Sequence, residues 1–99
     1  MITQSDILSY LAAHKDEFLH RFGITRIGLF GSFSRGTPND NSDIDILIEL
    51  RNGVEDIYRK KQHFRQMLET YFQRNVDIAR EKYLSDLARK TIEDDVIYV

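Results

Sequence analysis

The sequence predicts an α/β fold, one small β-sheet with helices packed on it, and three observations carry that reading. Segments with the period-two apolar alternation of strands succeed segments with the wider apolar spacing of helices. The clearest strand, Asp43-Ile44-Asp45-Ile46-Leu47-Ile48-Glu49-Leu50, alternates along its length. Ninety-nine residues, 41% hydrophobic and 30% charged, suit one domain over residues 1–99 with one modest core.

The elements follow in order. A first helix is expected over residues 5–22, with Ile7, Leu8, Leu11, Phe18, Leu19 and Phe22 as its apolar stripe and Gly23 as its terminator. Ile24-Thr25-Arg26-Ile27-Gly28-Leu29-Phe30 is short, apolar and β-branched, hence a strand. Gly36-Thr37-Pro38-Asn39-Asp40-Asn41-Ser42 has loop composition and leads into the acidic strand, which Arg51-Asn52-Gly53 ends. A helix over residues 54–72 should turn Ile57, Tyr58, Phe64, Met67, Leu68, Tyr71 and Phe72 inward. Its aromatics, at helical spacing, read as core packing rather than as a base-stacking platform. Arg74-Asn75-Val76-Asp77-Ile78-Ala79 is a further strand, residues 82–93 a last helix, and Val96-Ile97-Tyr98-Val99 a closing strand.

The chemistry concentrates between residues 31 and 45. Gly31-Ser32 follows the first strand and opens a short helical turn, where free backbone N–H groups and a missing side chain suit a phosphate. The Ser32 hydroxyl can add a hydrogen bond, although alone the pair would read as an ordinary helix cap. Ten residues later comes Asp43-Ile44-Asp45. With Ile44, Ile46, Ile48 and Leu50 on the core face, Asp43 and Asp45 share the opposite face, roughly 7 Å apart along the strand. Two like charges repel there, and Asp is a poor strand former, so the pair makes sense as ligands of hard divalent cations. Asp77 points outward from its own strand and joins them if the two strands are neighbours. Three carboxylates can hold two Mg²⁺ ions, one on nucleotide phosphates and one on an attacking hydroxyl. Glu49 shares the face and is the rival third ligand, but it lies further from the phosphate turn.

Gly31-Ser32, Asp43-Ile44-Asp45 and Asp77 resemble the motif set of the DNA polymerase β nucleotidyltransferase superfamily. Gly-Ser-x-x-Arg-Gly followed by Ser-Asp-Ile-Asp is similar to its smallest branch, the minimal nucleotidyltransferases of the MNT or MntA kind. The resemblance is clear over residues 24–79 and extends to the whole chain in length and element order. It implies a nucleotidyltransferase fold with a small mixed sheet, Mg²⁺ dependence, and transfer of a nucleoside monophosphate. By the same resemblance Gly31 and Ser32 hold the triphosphate and Asp43 and Asp45 bind both metals. Asp77 binds the metal on the acceptor hydroxyl and helps deprotonate it. Arg35 matches the arginine usual in this loop, as a phosphate contact or as a solvent-exposed helix residue. Ser34 stands where that branch often has alanine.

Composition bounds the partners. A net charge of −2 without a basic face disfavours nucleic acid as a direct ligand. Arg59-Lys60-Lys61 and Arg65 stand among Glu55, Asp56 and Glu69 as a solvated helix face. The absence of Cys, of a signal-peptide pattern and of a spanning apolar run fits a soluble cytoplasmic protein. Gly31-x-x-x-x-Gly36 is not a Walker loop, because Thr37-Pro38 stands where Lys-Ser or Lys-Thr is required. His14, His20 and His63 lack metal-ligand spacing, and there is no Gly-x-Ser-x-Gly elbow for serine hydrolysis.

Nucleotidyl transfer also needs an acceptor held in line, and no segment is left to build a domain for it. The acceptor site is therefore shared with another chain, or the acceptor is a protein. The resemblance implies the second: AMP from ATP moved onto a tyrosine of a small helical HEPN toxin, the chain acting as antitoxin of a type VII-like pair. A small-molecule nucleotidyltransferase of the aminoglycoside type, or an antitoxin that acts by binding alone, are the alternatives.

Overall fold

The computed structural model describes residues 2–99. Helices α1 (Gln4–Ala13) and α2 (Lys15–Phe22) precede strand β1 (Ile24–Phe30), the short turn α3 (Ser32–Arg35) and strand β2 (Ile44–Leu50). Helix α4 (Ile57–Phe72), strand β3 (Val76–Arg80), a 3₁₀ turn (Glu81–Tyr83), helix α5 (Asp86–Glu93) and strand β4 (Ile97–Tyr98) complete the order. The sheet runs β3-β2-β1-β4. β2 and β3 are parallel, joined by the α4 crossover that parallel strands require, and the other pairings are antiparallel. The sheet is mixed and the class α/β, as expected.

One face of the sheet carries the core. Ile44, Ile46 and Ile48 of β2 and Ile27 and Leu29 of β1 are buried against Ile7, Leu11, Phe18, Phe22, Phe64 and Leu68 from α1, α2 and α4. Phe64 anchors the helical layer, edge-on to Phe18 at 5.0 Å and tilted against Phe22 at 5.4 Å. The opposite face carries Asp45, Leu47 and Glu49. Leu47 is nonetheless buried, and Val96 and Tyr98 close over the sheet at Gly28, where any side chain would collide with them.

The boundaries depart from expectation at identifiable places. The expected first helix is two helices. Thr3 and Asp6 form a reciprocal capping box at its start, and His14 interrupts it with its N–H and ring Nδ1 both on the Tyr10 carbonyl. The helix expected from residue 54 begins at Ile57, after Asp56 in a left-handed conformation. The last helix is split at Leu84 into a 3₁₀ turn and α5, which Ser85 caps through the Ala88 N–H. Tyr58 and Tyr71, expected inward, are 78% and 61% exposed, and Tyr71 stacks on Tyr10 at 3.9 Å outside the core. Leu19 is also exposed. Among the described residues no helix is long and apolar enough to cross a membrane.

Candidate active site

The end of β1 and the start of β2 build the site together. Antiparallel pairing sets Phe30 opposite Asp45, so Gly31 follows directly beside that carboxylate. Gly31 has φ 79° and ψ −155°, backbone that only glycine occupies freely. A Cβ there would run into Asp45 Oδ2 and stand 3.0 Å from its Cγ. The missing side chain is thus what lets the turn and the acid strand touch. The Gly31 carbonyl accepts from the N–H groups of Ser34 and Arg35, each at 3.1 Å, and from Ser34 Oγ at 2.9 Å. Ser34 is spent on that turn. Among the described residues, the Ser32 hydroxyl has no partner. Gly36 ends α3 in the left-handed conformation.

Strand order brings the third acid in. β3 lies parallel to β2, with Asp77 in register with Asp45 and Val76 with Ile44. Asp43 precedes Ile44, whose N–H donates to the Asn75 carbonyl at 2.9 Å. Among the described residues, none of the three carboxylates accepts a hydrogen bond or an ion pair, and no three acids or imidazoles yet converge on a single point. Asp45 records their company. Burial, then the Asp77 charge, then Asp43, push its carboxyl up to about 6, against the opposing pull of Arg35. Unsatisfied, hard, mutually repelling oxygens beside a glycine-cleared space fit a divalent cation better than they fit an empty surface.

Two candidates are otherwise engaged. Arg35 Nη1 pairs with Asp95 Oδ2 at 2.9 Å, at the far end of α5, while its charge still reaches Asp45. Glu49 is committed to structure. It accepts from Arg80 Nη2 at 2.7 Å, from the Lys82 N–H at 2.8 Å and from the Leu50 N–H at 2.9 Å. Those bonds hold its carboxyl below the usual range against the upward push of burial. It is not free to be a third ligand, which favours Asp77.

The nucleotidyltransferase domain family matches residues 11–99. The chain belongs to that family. Within it, the chain is a minimal nucleotidyltransferase of the MntA type. It is 37% identical over 99 residues to protein adenylyltransferase MntA of Thermococcus cleftensis, covering 100% of this chain and 98% of that one. Its fold is shared with a solved protein provisionally described as a minimal nucleotidyltransferase (TM-score 0.79, 24% identity, 97% of this chain and 95% of that one). It is shared too with a chain of a complex of tri-AMPylated Shewanella oneidensis HEPN toxin and MNT antitoxin (TM-score 0.59, 19% identity, 96% and 66%). The minimal nucleotidyltransferase is therefore an enzyme that acts on a nucleotide.

The structure adds residues around the nucleotidyltransferase site that no local sequence pattern selects. Gln4 of α1 donates its Nε2 to the Phe33 and Ser34 carbonyls at 3.1 and 2.9 Å, tying the phosphate turn to the helical layer. Asp95 holds Arg35 across sixty positions of sequence. Arg74 contacts the loop before Asp43. None follows a local pattern, because each partner is distant in sequence or is a backbone carbonyl.

Proposed function

We propose that this nucleotidyltransferase transfers AMP from ATP to a hydroxyl of a partner protein, a tyrosine of a small helical HEPN-type toxin, and thereby acts as its antitoxin. The observation that carries the reading is Asp77 in register with Asp45, with Gly31 packed against Asp45. The MntA relative's name and the AMPylated HEPN toxin in the similar complex support the choice of AMP and of a protein acceptor.

In this reading Gly31 and the Ser32 hydroxyl receive the triphosphate, and Arg35 supplies positive charge at the end of the turn. Asp43, Asp45 and Asp77 would hold two Mg²⁺ ions. When bound, the cations offset phosphate charge and make the acceptor hydroxyl more acidic. Asp77, at the open edge of the sheet, takes the acceptor proton. The acceptor oxygen then bonds to the α-phosphorus, the bond from that phosphorus to the β-phosphate oxygen breaks, and pyrophosphate leaves. Asp77 is exposed at the sheet edge, which leaves the acceptor to be held by the partner.

The test is mass spectrometry after incubation with ATP, Mg²⁺ and a co-encoded helical partner. An added AMP on a partner tyrosine supports the proposal. AMP on a small molecule instead would assign the chain to the antibiotic-modifying type, and tight binding with no AMP transferred would leave an antitoxin that works by contact.

A further inference from the structure

We propose that Arg74 is a positioning residue for nucleotidyl transfer, clamping the loop that delivers Asp43 against the phosphate turn and β3. The inference rests on the reading of Asp43, Asp45 and Asp77 as the reacting site. Arg74 Nη1 donates to the carbonyls of Ser42 at 2.8 Å, Asp40 at 3.2 Å and Asn39 at 3.3 Å. Its guanidinium also lies over the ring of Phe33, 5.4 Å from the centroid, and Phe33 is the fully buried residue of the phosphate turn.

Three segments of the site therefore meet on one side chain. The shortest bond is to the peptide that leads directly into Asp43. Thr37 N–H ties the start of the loop to the Ser32 carbonyl at 3.0 Å, and beyond it the bonds lie within residues 39–42: Asn39 N–H to Ser42 Oγ, Asn41 N–H to Asn39 Oδ1, and Ser42 N–H to the Asn39 carbonyl. The last three close a small turn without fixing it to the body of the protein, and Arg74 does that. Unlike Arg26, Arg35 and Arg80, Arg74 has no carboxylate partner among the described residues. Its polar partners are the loop carbonyls, and a guanidinium bonded to carbonyls is the stronger, charge-assisted kind of hydrogen bond.

The three acids then depend on Arg74 unequally. Asp45 lies within β2 and Asp77 within β3, held by the sheet ladder, and Gln4 secures the phosphate turn independently. Asp43 stands between the ladder, which starts with the Ile44 N–H on the Asn75 carbonyl, and the loop, so its N-terminal side depends on the loop. Loss of the clamp should misplace Asp43 and weaken cation binding there, while the Gly31–Ser32 turn keeps its place.

Arg74→Met keeps an unbranched apolar side chain at this position and removes the donors and the cation over Phe33; Arg74→Lys restores charge and donors. Amide hydrogen exchange over residues 39–43 is measured in protein free of nucleotide and metal, beside transfer kinetics at varied ATP and Mg²⁺. In Arg74→Met the hydrogen-bonded amides among them, those of Asn39, Asn41 and Ser42, should exchange about tenfold faster, as expected for losing a hydrogen bond to a charged group. kcat should fall, the half-saturating Mg²⁺ concentration should rise, KM for ATP at saturating Mg²⁺ should hold, and Arg74→Lys should recover part of each loss. Unchanged exchange in Arg74→Met overturns the clamp. A rise in KM for ATP with unchanged exchange would make Arg74 a direct nucleotide contact. Faster exchange with no transfer even by the unmodified protein would overturn the functional reading and leave the clamp standing. Should Arg74→Met not fold, Arg74→Lys must show a smaller loosening of the same amides, and unaltered exchange there refutes the clamp.

Discussion

Replacing Gly31 by alanine should damage the fold and the chemistry by separable amounts. At φ 79° and ψ −155° an L-residue is strained, which costs about 1–3 kcal/mol. The new Cβ would also collide with Asp45 Oδ2, which can swing aside, but it would remain 3.0 Å from Cγ and 3.2 Å from Cβ. Both lie inside ordinary contact distance, so the end of β1 must part from β2 by a few tenths of an ångström, and the Asp45 carboxylate must leave its place beside Asp77. About 2 kcal/mol should lower Tm by roughly 10 °C in a domain of this size. A misplacement approaching 1 Å at the reacting groups should slow transfer about a hundredfold. Thermal unfolding by circular dichroism and initial rates with α-labelled ATP measure the two effects. In an Asp45→Ala background the same change should cost less stability, because the Oδ2 and Cγ contacts are gone and backbone strain remains. Unaltered Tm and unaltered rate in Gly31→Ala would refute the packing argument.

Other outcomes follow from the same geometry. Because Asp45 is pushed up to about 6 from 3.8, its folded form holds the proton more tightly. That stabilisation is complete below pH 3.8 and disappears as pH rises through about 6. The metal-free protein should therefore gain Tm between pH 7 and 5, a slope that Asp45→Asn flattens; equal slopes would contradict the assignment. Cation-dependent ATP binding, followed by calorimetry, should strengthen as pH rises through the same region. Glu49→Gln should destabilise the protein by about 1–3 kcal/mol in urea unfolding by weakening the hold on Arg80, and leave the transfer rate unchanged. Arg35→Ala should move the midpoint of cation binding to higher pH by removing the charge that opposes Asp45's protonation. Losing its exposed pair with Asp95 should cost under about 1 kcal/mol.

The acid strand was legible because its residues obey a simple period: burying Ile44, Ile46 and Ile48 forces Asp45 to the other face whatever surrounds it. Gly31 was legible as the residue that must lack a side chain. Asp77's place depends on strand order, which no local pattern encodes, and it came from the family resemblance. The helix break at His14 escaped notice because it uses neither glycine nor proline, only an imidazole competing for the Tyr10 carbonyl. Tyr58 and Tyr71 misled because an aromatic at the edge of a helical stripe can lie along the surface as readily as under it. Leu47 was hidden for the opposite reason: its face is acidic along the chain, yet it pairs with Gly28, where Val96 and Tyr98 stand close over the sheet.

The central claim is that Asp43, Asp45 and Asp77 act together on ATP, and transfer of label from α-labelled ATP with Mg²⁺ in host lysate tests it most directly. The unmodified protein and Asp45→Asn should be equally folded, and only the former should place label on one small protein. Equal labelling by both would contradict the claim, whatever the acceptor proved to be.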